Sequence, residues 1–187
     1  ENGDRETNYN PDEYRGLITI RDAINDSNNI VAVKALTQLT PQVGYDFLLK
    51  LGFTTLVNNR QTSNGSTESD VNQALSLGGI TDGVTNVELT AAYAAIANHG
   101  YYNEPILYTT VEDSHGNVLL ENESSPKQVM KATTSWQLTD AMKDVVSEGT
   151  GVAAQLNSDM AVAGKTGTTS NDYDFWFCGY TPYYTAS

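Results

Sequence analysis

Ala161-Val162-Ala163-Gly164-Lys165-Thr166-Gly167-Thr168-Thr169 is an apolar run that ends in a cation, hydroxyls and a bare glycine. An apolar run of this length with a polar end reads as a strand, expected over residues 160–168, and the two-residue period puts Thr166 and Thr168 on one face. Their hydroxyls can then hold a carboxylate jointly. Gly167 leaves the backbone open to close approach, the Thr168 N–H can serve a developing oxyanion, and Lys165 supplies positive charge for an acid–base network. Such an edge fits an acyl substrate that ends in a carboxylate. Beyond it, Phe175-Trp176-Phe177-Cys178-Gly179-Tyr180 and the residues from Tyr183 onward, after Thr181-Pro182, read as two more strands.

Upstream of residue 152 the periodicity changes to that of helices. Thr19 caps a short helix to about residue 25, with Ile20 and Ile24 one turn apart. Ile30, Val33, Leu36 and Leu39 form an apolar face, Thr40-Pro41 divides that helix from the next, and Gly52 stops the second. Residues 56–70 are polar and read as an exposed loop, followed by a turn-rich bend at Leu77-Gly78-Gly79. Thr85-x-x-Glu88 is a capping box ahead of an alanine-rich, close-packed helix that Gly100 ends. A hairpin is expected near residues 106–121, turning at Ser114-His115-Gly116-Asn117. A second capping box, Thr134-x-x-Gln137, opens a helix that carries Leu138, Met142 and Val145 or Val146 and ends at Gly149. Helices first and strands later favour an α+β fold with an antiparallel sheet over an alternating βαβ one.

The chain has 187 residues, enough for a single domain with a sizeable core, and its 10 Lys and Arg against 23 Asp and Glu give a net charge of −13. That field repels phosphate backbones and anionic lipid surfaces, which excludes nucleic acid as a partner class. With 39% hydrophobic residues and 11 tyrosines the acidity does not imply disorder. Cys178 is alone, so neither a disulfide framework nor a thiolate metal site is available within the chain, and it reads as a small buried hydrophobe. His99 and His115 are the only histidines, one at a helix end and one in a turn, which argues against a Ser-His-Asp triad or a histidine zinc site. Asp172 and Asp174 lack the alternating ligands of a calcium loop and read as solvated carboxylates. Tyr101, Tyr102, Tyr180, Tyr183 and Tyr184 read as core and sheet packing, with a groove lining as the alternative.

Ser27-Asn28-Asn29 falls at a helix-to-helix junction. Ser27 can pass a proton, and the Asn29 amide can both donate and accept to fix a base and a substrate amide. Read singly, Ser-x-Asn is an ordinary helix cap and Lys-Thr-Gly an ordinary strand end with a solvated lysine. Acyl transfer also needs a nucleophile, and the one Ser-x-x-Lys in the sequence, Ser124 to Lys127, has Pro126 inside it and follows Ser27. It is set aside as a chance match.

From Gly16-Leu17-Ile18-Thr19-Ile20-Arg21-Asp22-Ala23-Ile24 through Ser27-Asn28-Asn29, Leu77-Gly78-Gly79 and Lys165-Thr166-Gly167-Thr168-Thr169 to Asp174-Phe175-Trp176-Phe177-Cys178-Gly179-Tyr180-Thr181-Pro182, the chain resembles the transpeptidase domain of the penicillin-binding proteins, most closely the bifunctional class A members. Ser-x-x-Lys, a Ser-x-Asn type box and Lys-Thr-Gly are recognised signatures of that superfamily. The resemblance implies catalytic roles for Ser27, Asn29 and Lys165, substrate binding by Thr166, Gly167 and Thr168, and a serine acyl-enzyme that cross-links peptidoglycan stem peptides at D-Ala-D-Ala termini. It also implies β-lactams as acylating ligands, no metal or organic cofactor, and an extracytoplasmic location reached through an upstream membrane anchor and glycosyltransferase domain. Two rivals remain: a D,D-carboxypeptidase or β-lactamase-like hydrolase of the same fold, and a non-catalytic cell-wall peptide-binding module.

On this reading residues 1–187 form a partial transpeptidase domain: a leading loop over 1–16, a mainly helical part over 17–151, and sheet strands over 152–187. The Ser-x-x-Lys box is expected upstream of Ser27 in the parent protein, and the isolated chain is expected to be inactive. A last strand that stops at Thr185-Ala186-Ser187 is expected to leave an unpaired edge that drives oligomerisation.

Overall fold

Helices form where a capping side chain meets apolar spacing. The computed structural model describes residues 7–8, 15–169 and 172–187; the turns expected at Asn2-Gly3 and Asn10-Pro11 lie outside the described residues. Thr19 caps α1 (Ile20–Asn25) through a reciprocal box with Asp22. Asn28, not Ser27, caps α2 (Asn29–Leu39) by accepting from the Val31 N–H. Pro41 opens α3 (Pro41–Lys50), and Gly52 ends it at φ 84°, where a Cβ would strike the Tyr102 ring.

Residues 56–70 depart from the exposed loop expected of them. They carry a small antiparallel pair, β1 (Arg60–Gln61) with β2 (Thr67–Glu68), pinned at its base by Asp70, which is 1% exposed. One Asp70 carboxylate oxygen accepts from the Val57 N–H at 2.7 Å, and the other from the Thr81 N–H at 2.8 Å and the Thr81 hydroxyl at 2.5 Å. Polar composition concealed this anchor because a buried carboxylate with three donors is, in sequence, indistinguishable from a solvated one.

After a 3-10 turn (Gln73–Leu77), α4 (Asn86–Ala97) starts from the Thr85–Glu88 capping box. Its alanines let neighbours approach on two sides. Ala91, Ala92 and Ala95 pack with Leu51, Phe53 and Tyr102, while Tyr93 and Ile96 pack against Met142, Ala163 and Tyr180. Next, β3 (Tyr101–Tyr102) pairs with β6 (Lys127–Gln128) around the expected hairpin of β4 (Thr110–Glu112) and β5 (Val118–Glu121). Helix α5 (Ala132–Ser147) begins at Ala132, before the expected Thr134 box, and its N-cap Lys131 makes no side-chain cap bond. Tertiary packing decides that start, since Ser135 is buried and its hydroxyl reaches the Ile96 carbonyl at 2.5 Å.

Residues 152–162 form a 3-10 turn and coil in place of the expected strand start, so the sheet is β7 (Ala163–Thr168), β8 (Phe175–Tyr180) and β9 (Thr185–Ala186), antiparallel in that order. Helix α5 covers it, with Val145 fully buried. The architecture is α+β. Among the tyrosines, Tyr102 and Tyr180 are packed, whereas Tyr101, Tyr183 and Tyr184 are exposed, contrary to the packing expected of all five. Cys178 is buried and its thiol is pushed up to about 11 by burial.

Candidate active site

Ser27 sits where glycine is preferred. Helix α1 ends in a paired turn: the Asn28 N–H reaches the Ala23 carbonyl at 2.8 Å and the Ser27 N–H the Ile24 carbonyl at 3.2 Å. This is the Schellman arrangement, and it puts Ser27 in the left-handed region at φ 54°. A side chain there costs about 1 kcal/mol relative to glycine.

The Ser27 hydroxyl meets a partner across the cleft. The Lys165 ammonium, on β7, donates to the Ser27 Oγ at 2.7 Å and to the Thr166 carbonyl at 3.0 Å. Because an ammonium has donors only, Ser27 Oγ is the acceptor and its own proton points away from Lys165. Burial lowers the Lys165 pKa from its ordinary value, and no carboxylate is paired with it among the described residues.

The free edge of β7 supplies the rest. The Thr169 N–H bonds the Asp174 carbonyl on the β8 side at 3.1 Å, and successive backbone groups of a strand point to opposite sides. The Thr168 N–H therefore points to the edge that no strand pairs with among the described residues. Ser27, Asn29, Lys165, Thr166, Gly167 and Thr168 all line one cavity of about 520 Å³, closed on another side by Ser76, Leu77 and Gly78. The Asn29 side-chain nitrogen donates to the Thr7 carbonyl at 3.0 Å, so part of its hydrogen-bonding capacity is taken by the leading segment.

Three residues at this site carried no sequence signal beyond a helix stop. Thr150 Oγ1 is 2.7 Å from Thr166 Oγ1, and its N–H reaches the Asn25 carbonyl at 3.3 Å. Gly149 packs on Asn25 so closely that a Cβ would collide with the Asn25 Oδ1. Gly151, the third, flanks Thr150 on the other side, with its N–H on the Val145 carbonyl at 2.8 Å. Ser124 and Lys127 are elsewhere: they line a separate cavity with Tyr102 and Glu104, and the Ser124 hydroxyl bonds Asn103 at 3.0 Å. Asp174 holds Thr169 at 3.2 Å, and no group of metal-ligating side chains occurs among the described residues.

Ser27 in the left-handed region, a half-buried Lys165 and the Thr166-Gly167-Thr168 strand edge thus meet in one cleft. The sequence matches the penicillin binding protein transpeptidase domain over residues 1–186, and the chain belongs to that family. It is similar to penicillin-binding protein 1A of Clostridium acetobutylicum, 40% identical over 184 residues that make up 96% of this chain and 21% of that protein. Penicillin-binding protein 1A/1B of Bacillus subtilis is 36% identical over 191 residues, 94% of this chain and 20% of that protein. The chain thus spans about a fifth of the length of these relatives. In fold it resembles penicillin-binding protein 1A from Haemophilus influenzae, with a TM-score of 0.76 at 20% identity over 96% of this chain and 31% of that one. The PonA1 protein from Mycobacterium tuberculosis in complex with penicillin V gives a TM-score of 0.75 at 24% identity over 94% of this chain and 48% of that one.

Proposed function

We propose that the chain supplies the substrate-binding wall and three of the catalytic groups, Ser27, Asn29 and Lys165, of a serine D,D-transpeptidase that cross-links peptidoglycan stem peptides. The observation that carries this reading is the 2.7 Å contact between Lys165 Nζ and Ser27 Oγ within a cavity lined by Thr166, Gly167 and Thr168. In this scheme a serine from a segment outside the 187 residues attacks the carbonyl of the penultimate D-alanine. The proton that the attacking serine gives to the lysine of its Ser-x-x-Lys box is handed on through Ser27 to the D-alanine nitrogen as the peptide C–N bond breaks, and a proton from the acceptor amine later returns to that serine by the same route. The amine of a second stem peptide then attacks the acyl ester, forms the cross-link and returns the serine. Thr168 N–H stabilises the oxyanion, Lys165 with Thr166 and Thr168 holds the terminal carboxylate, and Asn29 orients the substrate amide. A β-lactam occupies the same cleft through its own carboxylate. The site works on the extracytoplasmic face of the bacterial membrane, although no helix among the described residues is long and apolar enough to cross one.

A fluorescent penicillin tests this directly. The full-length protein is expected to give a labelled band that survives denaturation, and the 187-residue chain alone none. Labelling of the isolated chain would contradict the assignment of the nucleophile to another segment; no labelling of the full-length protein would contradict the transpeptidase reading. Formation of a cross-linked product only when an acceptor amine is added separates this activity from a hydrolase.

The lowered Lys165 pKa gives the reaction an alkaline limit. The ammonium is intact at low pH and is lost as pH rises through a value below 10.5, taking the carboxylate's partner with it. Penicillin acylation is therefore expected to decline on the alkaline side earlier than an exposed lysine would dictate. A rate that holds flat to the ordinary lysine value would separate Lys165 charge from ligand capture.

A further inference from the structure

We infer that Thr150 is a specificity-determining, positioning residue: its hydroxyl fixes the direction of the Thr166 hydroxyl so that the cleft selects a carboxylate over a neutral chain end. The inference rests on the transpeptidase reading and adds a residue to it.

A hydroxyl carries one proton and accepts through its lone pairs, whereas a carboxylate only accepts. For Thr166 to bind a carboxylate, its proton must point at the ligand and its oxygen must be free to accept from elsewhere. Thr150 Oγ1, 2.7 Å away, is the partner the Thr166 hydroxyl has among the described residues. With Thr150 donating to Thr166 and Thr166 donating to the ligand, both protons are used and the chain runs in one direction. A terminal carboxamide offers that proton a single neutral oxygen in place of a charged carboxylate, so it gains less from a Thr166 hydroxyl held in this direction. Thr150 is itself exposed, so its part is to orient and polarise the Thr166 hydroxyl, and a hydrogen bond to a charged acceptor is about twice as strong as a neutral one.

The loop that carries Thr150 is held at both ends and in the middle. Gly149 N–H bonds the Asp144 carbonyl at 3.0 Å, Gly151 N–H the Val145 carbonyl at 2.8 Å, and Thr150 N–H the Asn25 carbonyl at 3.3 Å. Gly149 lies flat against Asn25, which allows this approach, since any Cβ there would collide with the amide. The end of α1 that presents Ser27 and the strand that presents Thr166 are thus joined through one short loop.

The test compares acylation of the full-length protein by an N-acyl-D-Ala-D-Ala peptide and by the same peptide ending in a carboxamide, with Thr150→Val, Thr150→Ala and Thr150→Ser. Removing the hydroxyl is expected to lower kcat/KM for the carboxylate peptide by about tenfold, mainly through KM, the scale of one hydrogen bond to a charged group. The carboxamide rate is expected to change by less than about twofold, so discrimination falls. Thr150→Ser should restore it, at an unchanged thermal midpoint. Thr150→Ala removes volume without adding any and covers the case in which valine does not fold. Equal losses on both peptides, or no loss on either, would overturn the inference. A wild-type protein acylated by neither peptide nor by fluorescent penicillin would overturn the transpeptidase reading instead.

Discussion

Replacing Lys165 with alanine in the full-length protein is expected to slow acylation by a fluorescent penicillin by roughly 10² to 10⁴, the scale on which a single charged catalytic group acts in a water-poor site. Two losses combine. Ser27 Oγ loses the donor that sets the direction of its own proton, and the ligand carboxylate loses its cation. Neither is replaced from nearby, because the other partner of the Lys165 ammonium is the Thr166 carbonyl. Lys165→Arg keeps the charge but imposes a planar fork where a compact ammonium fits, and is expected to recover only part of the rate. Lys127→Ala is the matched control, since Lys127 lines a different cavity although it completes the one Ser-x-x-Lys in the sequence. It should leave the rate within about twofold, in keeping with an exposed substitution away from the cleft. Wild-type rates for Lys165→Ala, or a large loss for Lys127→Ala, would reassign the chemistry.

Asp70→Ala is expected to destabilise the fold by about 2 to 4 kcal/mol, because it strands the buried Val57 N–H and the part-buried Thr81 N–H. Against a typical total stability of about 5 to 15 kcal/mol this is a large share. Asp70→Asn keeps one carbonyl oxygen and should cost roughly half as much, measured by urea unfolding. Burial pushes the Asp70 pKa upward, but the Thr81 hydroxyl and the Val57 and Thr81 N–H groups outweigh it and hold the carboxyl below its ordinary 3.8. The sign follows: the stabilisation is complete above the unfolded-state value and is lost as pH falls through the lower folded-state value. Asp70→Asn should therefore flatten the acid limb of stability. An Asp70→Ala protein with wild-type stability would show that the anchor is dispensable.

The parts of the molecule legible in its sequence are those in which one residue type does one local job. Thr19, Thr85, Pro41 and Gly52 mark helix ends because caps, ring closure and left-handed backbone act within a few residues. Strand β8 was readable to its ends because an unbroken apolar and aromatic run is bounded by polar turns. The Lys-Thr-Gly edge and the Ser-x-Asn turn are recognisable separately, their pairing is what the family resemblance implies, and Lys165 Nζ lies 2.7 Å from Ser27 Oγ. Long-range partnerships were not readable. Asp70 falls in a segment that reads as an exposed loop, α5 begins ahead of its apparent box because Ser135 docks on α4, and Thr150 follows a helix stop with no signal of its own. In each, the deciding partner comes from a different element, and a single sequence does not record which hydroxyl meets which carbonyl.

The central claim is that the turn after α1 and the edge of β7 act as a single catalytic unit. A double-mutant cycle on penicillin acylation by the full-length protein, using Ser27→Ala, Lys165→Ala and both together, measures this most directly. Groups in direct contact are expected to be strongly non-additive, with the double variant no slower than the worse single variant within about threefold. Losses that multiply in full would mean that Ser27 and Lys165 work independently, and would contradict the shared cleft.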